Sequence, residues 1–576
     1  MNYMMRKLPL LLEFFINGLF ILIYTLKKSG RFPQLIDVLP IEDIYSVALF
    51  VVPATLFISL AFHFLKSANF EDFIRKYIFS VIIFIPVLIT WGDLEFLYWL
   101  STVHLFSSLI SIYEKKEEKP SFMNTAPTSS FFFRLKLQPA QVVLISFGSW
   151  IVVGTLLLAL PVSMASGKSL GLVDAFFMAT SATCVTGLTT ISYAEDLSLF
   201  GQMIVLTLFQ VGGLGIMTLS SSMAVMMGKS LQMRERVIMQ DVLDTSNSEE
   251  LLELIIDIIR YTLSVEFIGA IIMTIAFYQE GFEIGQSMYY GFYHAISAFC
   301  NAGITLFPHS LAEFRHSEVI QYTIMALVTI GGIGFAVIKD IRGLIKARRP
   351  IRELSLHSKI VLTTHFALLA ITSLYLFFSE FLNAFENLSL WERLNASLFQ
   401  SVVIRTAGFN TIDINSFHPH TIYFLIILMF IGASPGSTGG GLKTTTFAVL
   451  IQSITATLRG KNHVEFFERR VPPQVVVKAI AIFIVSLIIC SASILVMMRL
   501  EPDQNFLDIF LECVSAFSTV GVSLGITDLL STSGKLWIAL MMFVGRVGPL
   551  TLVLAIGSRA IVPRKVDFPE GKIFIG

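Results

Sequence analysis

Apolar runs of membrane length recur along most of the chain, broken by short polar stretches. Four lie before residue 114, at about 8–26, 44–66, 74–91 and 93–112. A polar loop at 114–138 follows. Then come eight more runs, at about 141–160, 198–227, 253–278, 319–346, 358–382, 420–457, 473–499 and 535–561. A crossing helix needs about 20 apolar residues, so the pattern predicts about twelve membrane helices. The first run follows Arg6 and Lys7 and has no small-residue cleavage site after it, so it reads as a membrane helix rather than a leader. Shorter apolar stretches sit between certain pairs, at 172–183, 287–299, 391–403 and 506–517. These are too short to cross and read as half-helices that enter the membrane and turn back. The predicted fold is therefore all-α and integral to the membrane. Beyond residue 138 it consists of four M1–pore helix–M2 repeats with pseudo-fourfold symmetry, at 139–252, 253–357, 358–472 and 473–576. An N-terminal transmembrane extension of about four extra helices, 1–138, precedes them.

Each half-helix runs into a loop with one glycine. The loops are Cys184-Val185-Thr186-Gly187, Cys300-Asn301-Ala302-Gly303, Arg405-Thr406-Ala407-Gly408 and Ser518-Thr519-Val520-Gly521. Their glycines are 116, 105 and 113 residues apart. Three loops are preceded by Ser-Ala at one offset (Ser181-Ala182, Ser297-Ala298, Ser515-Ala516), and the third has Val402-Val403 there. A second glycine motif follows inside the next span, at Gly212-Gly213, Gly331-Gly332, Gly432-Ala433 and Gly545-Arg546. It begins 25, 28, 24 and 24 residues after the loop glycine. Small residues let helices approach closely in lipid. A dinucleotide-binding reading of these glycines fails, because no β-α-β unit surrounds them.

Composition agrees with the bilayer as solvent: 55% of the 576 residues are hydrophobic and 14% are charged. The formal net charge is zero, so the balance points to no nucleic-acid partner. Cys184, Cys300, Cys490 and Cys513 form no C-x-x-C pair and read as small packing residues. Basic clusters follow the second span of each repeat: Lys229, Arg234 and Arg236; 339–352; 459–470; Arg559, Arg564 and Lys565. The positive-inside rule puts them in the cytoplasm, so all four half-helix loops dip in from outside and can meet on one axis.

Four converging loops suit a dehydrated cation. Backbone carbonyls can replace its hydration shell, and turning them inward favours a residue without a Cβ. Each half-helix also aims its negative C-terminal end at the ion. The candidate ion ligands are Val185, Thr186 and Gly187; Asn301, Ala302 and Gly303; Thr406, Ala407 and Gly408; Thr519, Val520 and Gly521.

Together with these loops, the stretches 182–188, 405–411, 432–446 and 545–551 make residues 139–576 resemble the membrane subunits of Ktr/Trk/HKT potassium transporters. The resemblance implies K+ as the transported ion, because a serine-for-glycine exchange in the first loop accompanies sodium preference in the plant branch. Na+ is a second candidate ion, and a sodium-selective or Na+/K+ transporter of the same fold is the alternative. It further implies a multi-pass protein of the bacterial inner membrane, acting as symporter or channel. Its implied form is a homodimer on a cytoplasmic ring of nucleotide-sensing RCK-type subunits. Residues 1–138 depart from the family core.

The third repeat is interrupted at Ser434, Pro435, Gly436, Ser437, Thr438, Gly439, Gly440 and Gly441. This stretch cannot stay helical, and irregular backbone at membrane depth must face protein or water. It falls just inside the predicted filter and reads as a gate, with Lys443 below it and Arg546 level with it; the resemblance implies the same. Arg405 and Glu512, in or beside half-helices, read as functional groups or as structural ion pairs. His418 and His420 read as an outer loop. A membrane enzyme would need a convergent catalytic constellation, and none is found, so the reading is a non-enzyme without bound cofactor. The longest cytoplasmic connections, 229–252, 339–357 and 459–472, are too short for a nucleotide-binding domain of about 100 residues.

Overall fold

The computed structural model describes residues 139–215 and 248–548, together with 17, 18, 21 and 101. The chain divides into two compact units, Met1–Leu135 with Met223–Leu231, and Lys136–Ser222 with Gln232–Gly576. The described residues from 139 onward all belong to the second unit. Apart from residues 17, 18, 21 and 101, the four N-terminal spans lie outside the described residues, as do the cluster at Lys229, Arg234 and Arg236 and the C-terminal cluster.

The described elements run in one order four times: a helix, a shorter helix, a glycine loop, a helix. The first set is α1 (Pro139–Leu158), α2 (Leu172–Cys184) and α3 (Leu199–Leu214). The second is α4 (Ser248–Gln279), α5 (Ile284–Cys300) and α6 (Glu318–Ile333), continued by α7 (Phe335–Ala347). The third is α8 (Leu356–Ser379), α9 (Leu390–Val403) and α10 (Pro419–Phe430), continued by α11 (Thr444–Leu458) and a small hairpin, β1 (Glu465–Phe466) and β2 (Arg469–Arg470). The fourth is α12 (Pro473–Leu500), α13 (Phe506–Ser518) and α14 (Thr532–Val547). Among the described residues, three helices are long and apolar enough to cross a bilayer alone, within α4, α8 and α12.

Local chemistry sets the boundaries. Ser198, Ser355, Ser389 and Ser531 cap the starts of α3, α8, α9 and α14 with their hydroxyls, and Glu392 completes a capping box on α9. Pro419 and Pro473 stand at first helical positions, where no N–H is required. The shorter helices are the most buried: Phe177, Tyr293, Phe299, Phe399 and Phe517 are fully enclosed. The long helices instead turn Phe267, Ile275, Ile488 and Leu495 outward, the pattern expected of a wall facing lipid.

One predicted span is corrected. The run 319–346 is not a single helix: α6 and α7 meet at Gly334 and bend by 100°. Gly334 has φ +99°, a Cβ on it would strike the Pro435 carbonyl oxygen, and Phe335 N donates to Gly436 O at 3.0 Å. A neighbouring loop therefore takes a backbone bond that a straight helix would keep to itself.

Candidate functional site

The four loops after α2, α5, α9 and α13 share one backbone signature. A left-handed residue stands two positions before a positive-φ glycine: Val185 and Gly187, Asn301 and Gly303, Thr406 and Gly408, Thr519 and Gly521. Three of the left-handed residues are β-branched. Such strain costs about 1–3 kcal/mol per residue and persists where function requires it.

The loops close into a ring. A Cβ on Gly187 would strike the carbonyl oxygen of Ala302; on Gly303, that of Ala407; on Gly408, that of Val520; and on Gly521, that of Thr186. Each loop lies against the next, and the fourth returns to the first. These four carbonyls accept no hydrogen bond among the described residues. Buried carbonyls without partners are costly, so a ring of them is a ready site for a cation.

Serines brace the ring. Ser181 Oγ accepts from Gly187 N and Ser515 Oγ from Gly521 N, both at 3.1 Å. Ser297 Oγ bridges to both the N–H and the carbonyl of Ile304. These are the serines of the three Ser-Ala pairs. In the third loop Val402 has no hydroxyl, and Gly408 N bonds to Val403 O instead. The second glycine motif is also placed. Gly212, Gly331 and Gly545 press against the carbonyls of Thr183, Phe299 and Phe517, each the penultimate residue of the preceding short helix. Gly432 faces Gly440 O instead, because the interrupted stretch fills that place.

The stretch 434–441 lies directly against the ring. Gly439 packs on Thr406 Oγ1, and Gly440 N donates to Thr519 Oγ1 at 3.1 Å. Thr438 Oγ1 donates to Phe299 O at 3.2 Å, while Ser434 N and Thr438 N donate to Gly332 O and Gly331 O. Thr444 and Ser437 hydroxyls tie down Ser434. Lys443 Nζ donates to Gly439 O at 2.7 Å. Arg546 donates from one guanidinium nitrogen to Thr438 O and from another to Gly212 O. The stretch thus touches the second, third and fourth repeats directly and the first through Arg546.

Other predicted residues sit elsewhere. Arg405 and Glu512 have no ion-pair partner among the described residues. Arg405 bonds to His365 Nδ1 (3.0 Å), and Glu512 Oε1 accepts from Thr527 Oγ1 (2.6 Å). The His418 and His420 rings stack, and His420 bonds to Ser379 Oγ. All four cysteines are buried and free. Sequence reasoning missed Gln210, Glu266 and His365. Gln210 Nε2 donates to Glu266 Oε2 at 3.0 Å and Cys300 Sγ to Gln210 Oε1 at 3.0 Å. Polar residues at these depths were the available signal.

Residues 127–563 match the family model TrkH, described as "Cation transport protein". The chain is 38% identical over 445 residues to the Ktr system potassium uptake protein B of Bacillus subtilis, covering 77% of this chain and 98% of that one. It is 34% identical over 449 residues to the potassium/sodium uptake protein NtpJ of Enterococcus hirae, again covering 77% and 98%. The crystal structure of the potassium transporter TrkH from Vibrio parahaemolyticus shares the fold, with TM-score 0.59 and 17% identity over 89% of this chain and 96% of that one. The chain therefore belongs to the TrkH family of cation transport proteins, multi-pass proteins of the cell membrane that move ions and are not enzymes.

Proposed function

We propose that this protein takes up potassium across the bacterial cell membrane through a selectivity filter formed by its four glycine loops, with 434–441 as an intramembrane gate. The observation that carries the reading is the closed ring of Thr186, Ala302, Ala407 and Val520 carbonyls, each packed beside a glycine of a neighbouring loop and, among the described residues, accepting no hydrogen bond. Carbonyl oxygens replace the hydration of a large monovalent cation, and the C-terminal ends of four short helices add negative potential there. The name of the Bacillus relative points to the same ion. The order of contacts around the ring supports pseudo-fourfold symmetry of the four repeats.

The gate reading rests on position. The stretch 434–441 packs on Thr406 and Thr519 within the loops themselves, and Arg546 holds its backbone. A fixed cation beside the path adds an electrostatic barrier to the steric one. The Bacillus relative's name, a Ktr system protein, supports a partner regulatory subunit. In this proposal the protein is a homodimer and that subunit is a cytoplasmic RCK-type ring, as the family resemblance implies.

The name of the Enterococcus relative favours a second reading, transport of sodium as well as potassium. Expression in a bacterium lacking potassium uptake tests both. Growth on low potassium and rubidium uptake that sodium does not compete away supports the first. Equal competition by sodium supports the second, and absence of uptake from well-expressed protein with its partner present overturns both.

A further inference from the structure

Nine residues before the ring glycine, each short helix places one side chain in the same register: Met178, His294, Phe399 and Glu512. All four are fully buried. Their chemistries differ, yet three make a polar contact with the segment that leaves the ring. In the first repeat Thr189 Oγ1 lies 3.4 Å from Met178 Sδ. In the second, His294 Nε2 accepts from Leu306 N at 3.2 Å, its Nδ1 being 2.7 Å from Tyr290 O. In the fourth, Glu512 Oε1 accepts from Thr527 Oγ1 at 2.6 Å, and Thr527 Oγ1 also lies 3.0 Å from Ser523 Oγ on the same limb. The third repeat has only an apolar group, and Phe399 shares a buried cluster with Phe409, the residue after its glycine.

We propose that this register is a brace holding the outgoing limb of each loop, and that Glu512 is a positioning residue for ion selectivity through its bond to Thr527. The inference rests on the filter reading given above. Two observations separate Glu512 from an ordinary packing residue. Its other oxygen, Oε2, is buried and has no partner among the described residues. No cation among those residues pairs with it either. A buried carboxylate kept for stability alone would be a poor choice, since an apolar residue of similar size is often as stable or more so. A carboxylate at this position supplies a short, directional bond to the limb. The contact order around the ring sets the second repeat opposite the fourth. The two hydrogen-bonded braces, His294 and Glu512, therefore belong to opposite repeats, while the first and third repeats carry the weak and apolar ones.

The test uses full-length protein with its cytoplasmic partner, and compares rubidium uptake and its competition by sodium in Glu512→Gln, Glu512→Met, Thr527→Val and the double variant Glu512→Met/Thr527→Val. Glu512→Met installs the first repeat's own solution. It is expected to lower the preference for rubidium over sodium roughly three- to tenfold while folded yield holds or rises, the range that one lost hydrogen bond allows. Glu512→Gln keeps an acceptor and is expected to retain most of the preference. Thr527→Val removes the donor and should match Glu512→Met, with no further loss in the double variant. Glu512→Gln falling as far as Glu512→Met would overturn the brace, because charge and not a hydrogen bond would then matter. Unchanged selectivity in Glu512→Met, beside a selective parent, would overturn it equally. A parent without selective uptake would instead sink the filter reading.

Discussion

At the scale of single residues, the ring explains why a Cβ is excluded. Gly187 sits against Ala302 O, a backbone atom that cannot rotate aside. Gly187→Ser is therefore expected to push the second loop outward and weaken discrimination against sodium. Sodium competition of rubidium uptake reads this, and an unchanged profile would remove Gly187 from the filter. Arg546 donates to Thr438 O and Gly212 O, and in the proposed function these bonds hold the gate. If these bonds favour the closed arrangement by only about 1.4 kcal/mol, Arg546→Ala raises the open fraction roughly tenfold. Losing the fixed charge works in the same direction. Flux equal to the parent at equal expression would refute the assignment. The ring glycines and the interrupted stretch were legible in sequence because both break a local rule, one by conformation and one by helix propensity. The partners of Arg405 and Glu512 were not. Charge alone leaves a functional role and an ion pair both open, whereas the folded chain offers His365 and Thr527, which carry no local signal of the pairing.

At the scale of elements, apolar length located the short helices to within a few residues: 172–183 became Leu172–Cys184 and 506–517 became Phe506–Ser518. Length decides here because a run of that size cannot cross a bilayer. The bend at Gly334 escaped the same logic. Apolar residues continue through it, from Ile333 to Phe335 and Val337, and the deciding bond comes from Gly436 in another repeat. That bond joins the start of α7 to the stretch 434–441. Removing residues 434–440 should leave the ring unobstructed and raise flux above that of Arg546→Ala, because it removes the steric barrier as well as its latch. Rubidium flux from reconstituted protein checks the order of the two. Deletion flux at or below the parent level, with normal yield, would mean that the stretch supports the ring instead of closing it.

At the scale of the whole molecule, the question is what supplies the free energy to move the gate. The connections that the sequence assigns to the cytoplasm are too short for a nucleotide-binding domain, and a two-state element shifts only with a differential interaction. The surface beyond the bend suits a docked protein. Arg342, Lys346, Arg348, Arg349 and Arg352 are exposed, as are the apolar Ile345 (72%) and Ile351 (79%). The hairpin adjoins this surface: Lys359 Nζ donates to Arg352 O and stands 6.0 Å from the Phe467 ring centre. The basic bias follows from the positive-inside rule, and the two exposed isoleucines add apolar area to the same stretch. A partner pulling on α7 would act on Gly436 through Phe335 N. Nucleotides are accordingly expected to alter flux only when the soluble partner is present. Arg342→Glu with Lys346→Glu should abolish that response and leave flux without partner unchanged. Flux assays with and without partner, and nucleotide binding by the purified chain, decide it. Tight nucleotide binding to the chain alone, or full regulation surviving the double charge reversal, would place the source of gating energy elsewhere in the molecule.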